Sequence, residues 1–207
     1  MKTGLIVAMA SELEALRRAG IPDAVQSGIG KAAAARTATE MILREHPDCI
    51  INSGCAGGLA PGVDVCDIVV GAQTAYHDVW CGEGNPWGQV QGLPQRFDAD
   101  PALLRAALAL QTSSPVRCGL ICTGDQFLTT AEDDARVLGL YPDALACDME
   151  SAAIAQVCLH YGVPFLSFRI ISDTRAGSRG HADGYADFWE HVSGESFAFL
   201  RLLTESL

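Results

Sequence analysis

Residues 145–173, "LACDMESAAIAQVCLHYGVPFLSFRIISD", change character twice. A short apolar run gives way at Asp148, Met149 and Glu150 to a small-residue helical pattern. Pro164 closes that pattern, and a second apolar run follows and ends at Ser172 and Asp173. Strand, helix and strand in this order predict parallel strands with a helix on the face of their sheet.

The same alternation runs outward along the chain. "TGLIVAM" (3–9), "DCIINSG" (48–54), "CDIVVGA" (66–72) and "CGLICTG" (118–124) read as strands, and "GKAAAARTATEMILREH" (30–46) reads as a helix. Pro47 ends that helix, while Pro101 opens "PALLRAALAL" directly after Asp100. From about Tyr185 to Leu207, Phe188, Val192, Phe197 and Leu200 recur at near-helical spacing and predict a packed final helix. The expected fold is therefore α/β: one domain over residues 1–207, with a mixed, mostly parallel central sheet flanked by helices. Residues 76–100, rich in Gly, Pro and Trp, read as a long structured loop, and such loops tend to be functional or to lie at an interface.

Composition narrows the function. The chain has 207 residues, 49% hydrophobic and 19% charged, enough for one globular core. No apolar run reaches the roughly 18–20 residues of a spanning helix. Ser11, Glu12 and Glu14 also interrupt the N-terminal apolar stretch where a signal peptide would continue, so a cytoplasmic protein is expected. A net charge of −11 with 14 scattered Lys and Arg argues against nucleic acid as a partner. The eight cysteines include Cys49, Cys66, Cys118, Cys122, Cys147 and Cys158 in or beside apolar runs, where they read as small buried hydrophobes. No metal-ligand pattern stands out, and neither metal nor cofactor is expected.

Ligands of open α/β sheets collect beyond the carboxyl ends of the strands. Four polar places end apolar runs here: Glu12, the turn "NSGCAGGL", the group Asp148–Met149–Glu150, and Ser172–Asp173. Acids at helix N-termini are also stabilised by the macrodipole, which offers a purely structural reading of Glu12, Asp148 and Glu150. Asp173 has a turn-forming Asp as its competing reading. Phe127 is either core or a platform for a planar ring. The glycines of "SGCAGGL" and "SGIGK" (27–31) match neither phosphate-binding spacing, and the latter also reads as a tight strand-to-helix turn.

The order of "GLIVAMASELEAL", "SGIGKAAAA", "IINSGCAGGLAPGVDVCDIVV", "YHDV", "GQVQGLP", "GLICTGDQF", "CDMESAAIAQVC" and "VPFLSFRIISD" resembles the 5'-methylthioadenosine/S-adenosylhomocysteine nucleosidases of the nucleoside phosphorylase superfamily. The resemblance covers nearly the whole chain. It implies hydrolysis of the N-glycosidic bond of a 5'-substituted adenosine. Asp173 would protonate N7 of the leaving adenine, and Glu12 would position and deprotonate the attacking water. Glu150, beside Met149, would hold the ribose hydroxyls, and Asp148 would support its neighbour. Phe127 would stack on adenine while the backbone of Leu128 reads its edge. Arg169 and Ser172 would support the water and the acid, and Cys55, Ala56 and Gly57 would line the substrate.

Related phosphorylases carry an Arg two residues before the glycine of the second-strand turn to bind phosphate; Asn52 stands there, which favours water as nucleophile. The family also implies a homodimer in which residues 87–97 reach the neighbour's pocket, with Tyr185 or Phe188 lining the apolar 5' region. Two features depart from the pattern: Cys55 replaces a usual Ser, and the interval from Leu13 to Ser27 is short, as if an early β-hairpin were missing. Nucleosidases acting on aminodeoxyfutalosine, futalosine or adenosylhopane, and a non-catalytic nucleoside binder, are the competing readings.

Overall fold

Ten consecutive buried residues form the strand β9 (Phe165–Thr174), and the sheet is organised around it. The computed structural model describes residues 1–112, 114–174, 188 and 194–207. In chain order, β9 is preceded by β1 (Thr3–Val7), α1 (Ala10–Arg18), β2 (Val25–Gln26), α2 (Lys31–Glu45), β3 (Cys49–Asn52), β4 (Cys55–Gly58) and β5 (Ile68–Tyr76). There follow β6 (Arg96–Asp98), α3 (Pro101–Ala109), β7 (Val116–Thr123), α4 (Ala131–Leu140), β8 (Ala144–Asp148) and α5 (Ser151–Tyr161). The last described helix is α6 (Gly194–Ser206).

β9 has three neighbours because it is long. Its first residues pair with β3, the segment Ser167–Ile170 pairs antiparallel with β5, and Ile170–Thr174 pairs parallel with β4. β4 continues to β8, β8 to β7 and β7 to β5, so five strands close into a ring. β3, β1 and β2 extend from the first half of β9, and β6 lies on the edge of β5. Most pairings among the described strands are parallel, as the alternating pattern predicts.

The ring interior is packed rather than hollow. Ala56, Val69, Ile121, Ala146 and Ile171, one from each strand, meet there with Val63. Small residues opposite branched ones suit so narrow a closure. Outside, α1, α3 and α6 bury Leu16, Leu103, Ala107, Phe199, Leu200 and Leu203 against one face of the sheet. Phe188 joins that core, and Phe199 packs 4.9 Å from Phe168 between ring centroids. On the opposite face α2 and α5 bury alanines, Met41, Ile42, Ile154 and Cys158. Asp100 caps α3 as its sequence predicts, accepting from the amides of Ala102 and Leu103 at 2.9 and 3.0 Å.

Three local readings are corrected. Cys55–Gly58 is strand β4, not only a turn: a Cβ on Gly58 would lie 2.9 Å from Thr174 Cγ2, so glycine is what lets the neighbouring strand approach. The loop 76–100 ends in β6, where Phe97 turns inward between outward Arg96 and Asp98. Cys118 is exposed, while Cys49, Cys122, Cys147 and Cys158 are buried and Cys66 is half-buried; all eight cysteines are free thiols. The final helix is described from Gly194, so Tyr185 and Val192 lie outside the described residues. The short interval after Leu13 holds the end of α1, a turn and two-residue β2, and the ring closes without a hairpin there. No described helix is long and apolar enough to cross a membrane.

Gly71 is the last residue of β5 paired with both β9 and β7, and a Cβ there would meet Ile121 Cδ1 at 2.9 Å and the Ser167 carbonyl oxygen at 3.3 Å. Gly71→Val is expected to overfill the ring and cost ~1–3 kcal/mol, read as a lower urea midpoint with unchanged slope. Gly139→Ala on α4, with nothing within 4 Å, should be neutral or stabilising under the same measurement. Equal midpoints for the two variants would contradict the packed interior.

Candidate active site

A cavity of about 450 Å³ opens at the carboxyl ends of the strands, within the size range of small-molecule sites. Six chain segments build most of it: the β1–α1 junction, the β2–α2 turn, β4, the segment after β7, the end of β8 and the end of β9. Of the candidate site residues, Glu12, Cys55, Ala56, Gly57, Phe127, Leu128, Met149, Glu150, Ser172 and Asp173 all line it. Arg169 lies behind the wall, and Tyr185 falls outside the described residues. Phe188 is buried among the helices and is not among the described lining residues.

Glu12 is both a helix acid and a pocket acid. It stands in the first turn of α1, where Oε2 accepts from the backbone N–H groups of Ala8 and Met9 at 2.9 Å each. Its Oε1 accepts from the Cys55 N–H at 2.9 Å, tying α1 to β4. Burial pushes its carboxyl up, against the pull of Arg169 and the three amides. Gly54 makes this approach possible: at φ +146° a Cβ would stand 2.5 Å from Glu12 Oε1 and 2.7 Å from Arg169 Nη1.

Arg169 is wholly buried, and its charge is shared among several elements. Asp148 receives Nε at 2.8 Å and Nη2 at 2.7 Å, Asn52 Oδ1 accepts from Nη2, and Ser151 Oγ lies 3.0 Å away. Nη2 is also 3.8 Å from Glu150 Oε2. Nη1 is left without a hydrogen-bond partner among the described residues, on the side of Gly54 and Glu12. Asn52, in the place of the phosphorylases' anion-binding Arg, is thus a buried structural link whose Nδ2 donates to the Ile6 carbonyl at 2.9 Å.

Glu150 precedes α5 and is almost fully buried; its Oε1 accepts from the Gly30 N–H at 2.9 Å. Burial pushes it up to about 7, with Arg169 opposing and Asp148 adding to the rise. Asp173 owes its place to a register slip. Ala56 pairs with Ile171 but Gly57 pairs with Asp173, leaving Ser172 as an extra residue on β9. Strict alternation would send Ser172 and Asp173 to opposite faces, whereas the slip lets both line the cavity. Ser172 Oγ donates to Asp173 Oδ1 at 2.6 Å and lies 3.3 Å from the Ala56 carbonyl.

Sequence reasoning missed Met9, Ile29 and Asp134 in the lining. Ile29 offered a signal, a bulky apolar residue inside a glycine turn; Asp134 offered none, since it reads as a first-turn acid of α4. None of the described lining residues is Lys, Arg or His, and no cluster able to hold a metal ion occurs among the described residues.

This closed mixed sheet, with acids gathered at its carboxyl end, is the arrangement of a known superfamily. Residues 22–205 match the model of the phosphorylase superfamily, and the chain belongs to it, within its 5'-methylthioadenosine/S-adenosylhomocysteine nucleosidase family. The nucleosidase of that name from Actinobacillus succinogenes is 40% identical over 206 residues, covering 87% of this chain and 89% of the relative. The Neisseria meningitidis nucleosidase, solved with methylthio-immucillin-A, superposes with a TM-score of 0.89 at 33% identity and full coverage of both chains. The Colwellia psychrerythraea nucleosidase, solved with adenine, gives 0.88 at 32% identity over 100% of this chain and 96% of that one.

Arg169→Met should destabilise the fold by ~3–5 kcal/mol, because it strands the buried Asp148 carboxylate. Adding Asp148→Asn should return more than ~1 kcal/mol of that loss in a double-mutant cycle. Simple additivity of the two losses in urea unfolding would show that the pair is not coupled.

Proposed function

We propose that the protein is an N-glycosyl hydrolase that cleaves 5'-methylthioadenosine, S-adenosylhomocysteine or both to adenine and the thioribose product. One observation carries the choice of water over phosphate. The cavity gathers Glu12, Glu150 and Asp173 and presents no cationic side chain among its described lining residues. A phosphate dianion would meet like charge there, whereas an oxocarbenium-like sugar meets the opposite charge.

In the reaction, the electrons of the C1'–N9 bond pass to the base, and Asp173 delivers a proton to N7 of the departing adenine. A water molecule adds to C1' and gives its proton to Glu12. The buried Nη1 of Arg169 lies behind Gly54 on the side of Glu12, where its charge favours the ionised form of that base. Glu150 accepts from the ribose hydroxyls, while Met149 packs beside the sugar. Phe127, half exposed on the cavity wall, is the stacking surface for the purine, and the Leu128 backbone reads its edge. Ser172 orients the acid through its 2.6 Å hydrogen bond. Cys55, Ala56 and Gly57 form the strand wall, and Tyr185 is assigned to the 5' region by family resemblance. A single domain over 1–207, a homodimer and a cytoplasmic location complete the reading. The homodimer is supported by the Trp80–Trp87 stack, 6.0 Å between centroids and largely exposed.

Adenine should be released from at least one of the two thioethers at a rate that added phosphate leaves unchanged. A phosphate-dependent rate producing a ribose 1-phosphate would replace the hydrolase with a phosphorylase. Asp173→Asn should keep its affinity for an adenine-based analogue and lose ~10²–10⁴-fold in kcat, since an amide is far too weak an acid to protonate N7. Near-normal kcat in that variant would remove Asp173 from the acid role.

A further inference from the structure

Three charged residues at the cavity mouth are tied into one unit that the chemistry above does not use. Asp125 stands immediately before Gln126, Phe127 and Leu128, the base-side wall. Its Oδ1 accepts the backbone N–H of Lys31 at 2.7 Å and would be 2.9 Å from a Cβ on Gly30. Lys31 opens α2 directly after Gly30, its N-cap, and Ile29, which lines the sugar side of the cavity. Its ammonium donates to both oxygens of Asp78 at 2.7 Å and sits 5.5 Å from the centroid of the Tyr76 ring. Asp78 Oδ2 closes the triangle by accepting the Asp125 N–H at 2.8 Å. Three loops, following β2, β5 and β7, are thereby joined at one point.

An ordinary surface ion pair would add little, about 0–1 kcal/mol. This cluster differs in what it is attached to. The amide of Gly30, held at φ +95° next to the tie, donates to Glu150 at 2.9 Å. Lys31 and Asp78 are only about a quarter exposed, at 23% and 24% of their side-chain surface.

We propose that Lys31, Asp78 and Asp125 form a positioning strap that holds the Gly30 N–H on Glu150 and locks the sugar-side wall to the Phe127 wall, so that sugar and base are gripped together. The proposal rests on the nucleoside reading of the cavity and adds residues that touch no substrate. Glu150 is faced by Arg169 from β9, Asp148 at the end of β8, Glu12 from α1, the Gly30 amide from α2, and Asp173 across the cavity. Of these, the amide is the contact the strap controls. It favours the ionised carboxylate, so loosening the strap raises the pH at which Glu150 ionises. Deleting the negative charge of Asp125 through space would lower it instead, and the opposite signs separate positioning from simple charge removal.

The experiment uses full-length protein with ¹³C-labelled glutamate, the Glu150 carboxyl signal being assigned by its loss in Glu150→Gln. Asp125→Ala should move the Glu150 midpoint upward by on the order of half a pH unit. Asp125→Asn, whose amide oxygen still accepts from Lys31, should restore it towards the starting value. Asp125→Ala should also lower kcat/KM for 5'-methylthioadenosine by roughly 10-fold, mainly through KM, and change it less than ~2-fold in the Glu150→Gln background. A Glu150 midpoint that stays put or falls in Asp125→Ala, or an equal loss of kcat/KM in both backgrounds, would overturn the strap. If the wild-type protein releases no adenine, the proposed reaction fails, while the titration still decides whether the strap holds Glu150.

Discussion

A guanidinium sealed inside a sheet is the constraint on which this structure turns. Arg169 sits on β9 amid ten buried residues, and such a charge is tolerated only when nearby groups neutralise it and accept its hydrogens. Asp148 supplies the counter-charge, while Asn52 and Ser151 supply further oxygens, so β3, β8, β9 and α5 are registered by one side chain. The same cation lies near Glu12 and Glu150, easing both towards ionisation against the desolvation that lifts them. The residue that organises the sheet therefore also sets the electrostatics of the cavity in front of it.

Closure of the ring performs the complementary task. Were the sheet open, β4 and β5 would flank separate regions; here β9 borders both, bringing Gly57, Cys147 and Asp173 around one cavity. The slip at Ser172 is a local irregularity of the kind that curves strands and re-aims side chains. It places the Asp173 carboxyl and the Ser172 hydroxyl side by side, which regular alternation forbids. The lining of the cavity here depends on a break in the β pattern rather than on the pattern itself.

That distinction explains what the sequence made legible. Long strands and helices with clear apolar periodicity could be read directly, as could the acids at strand ends, because periodicity and terminal polarity are local properties. β4 could not: "CAGG" carries no β-branched residue, and it is a strand because Thr174, Val63 and Ile171 leave room only for glycine beside them. β6 is three residues long and survives as an edge paired to β5. Arg169 inside an apolar run, and Asp134 in a helix's first turn, become informative only when residues distant in sequence are brought beside them. Tertiary placement, not local preference, decides such positions.

Cys55 shows how a departure from the family's pattern is absorbed. What holds Glu12 at β4 is the backbone N–H of residue 55, so the carboxylate keeps its anchor whichever side chain stands there. Burial, then the nearby Glu12, pushes the Cys55 thiol well above its ordinary range, so it remains neutral. A thiolate would add another negative charge to a corner already holding Glu12, Glu150 and Asp173. A neutral thiol adds no charge there and is a weaker hydrogen-bond donor than a hydroxyl. The link between α1 and β4 at this turn thus resides in the backbone of residue 55 rather than in its side chain.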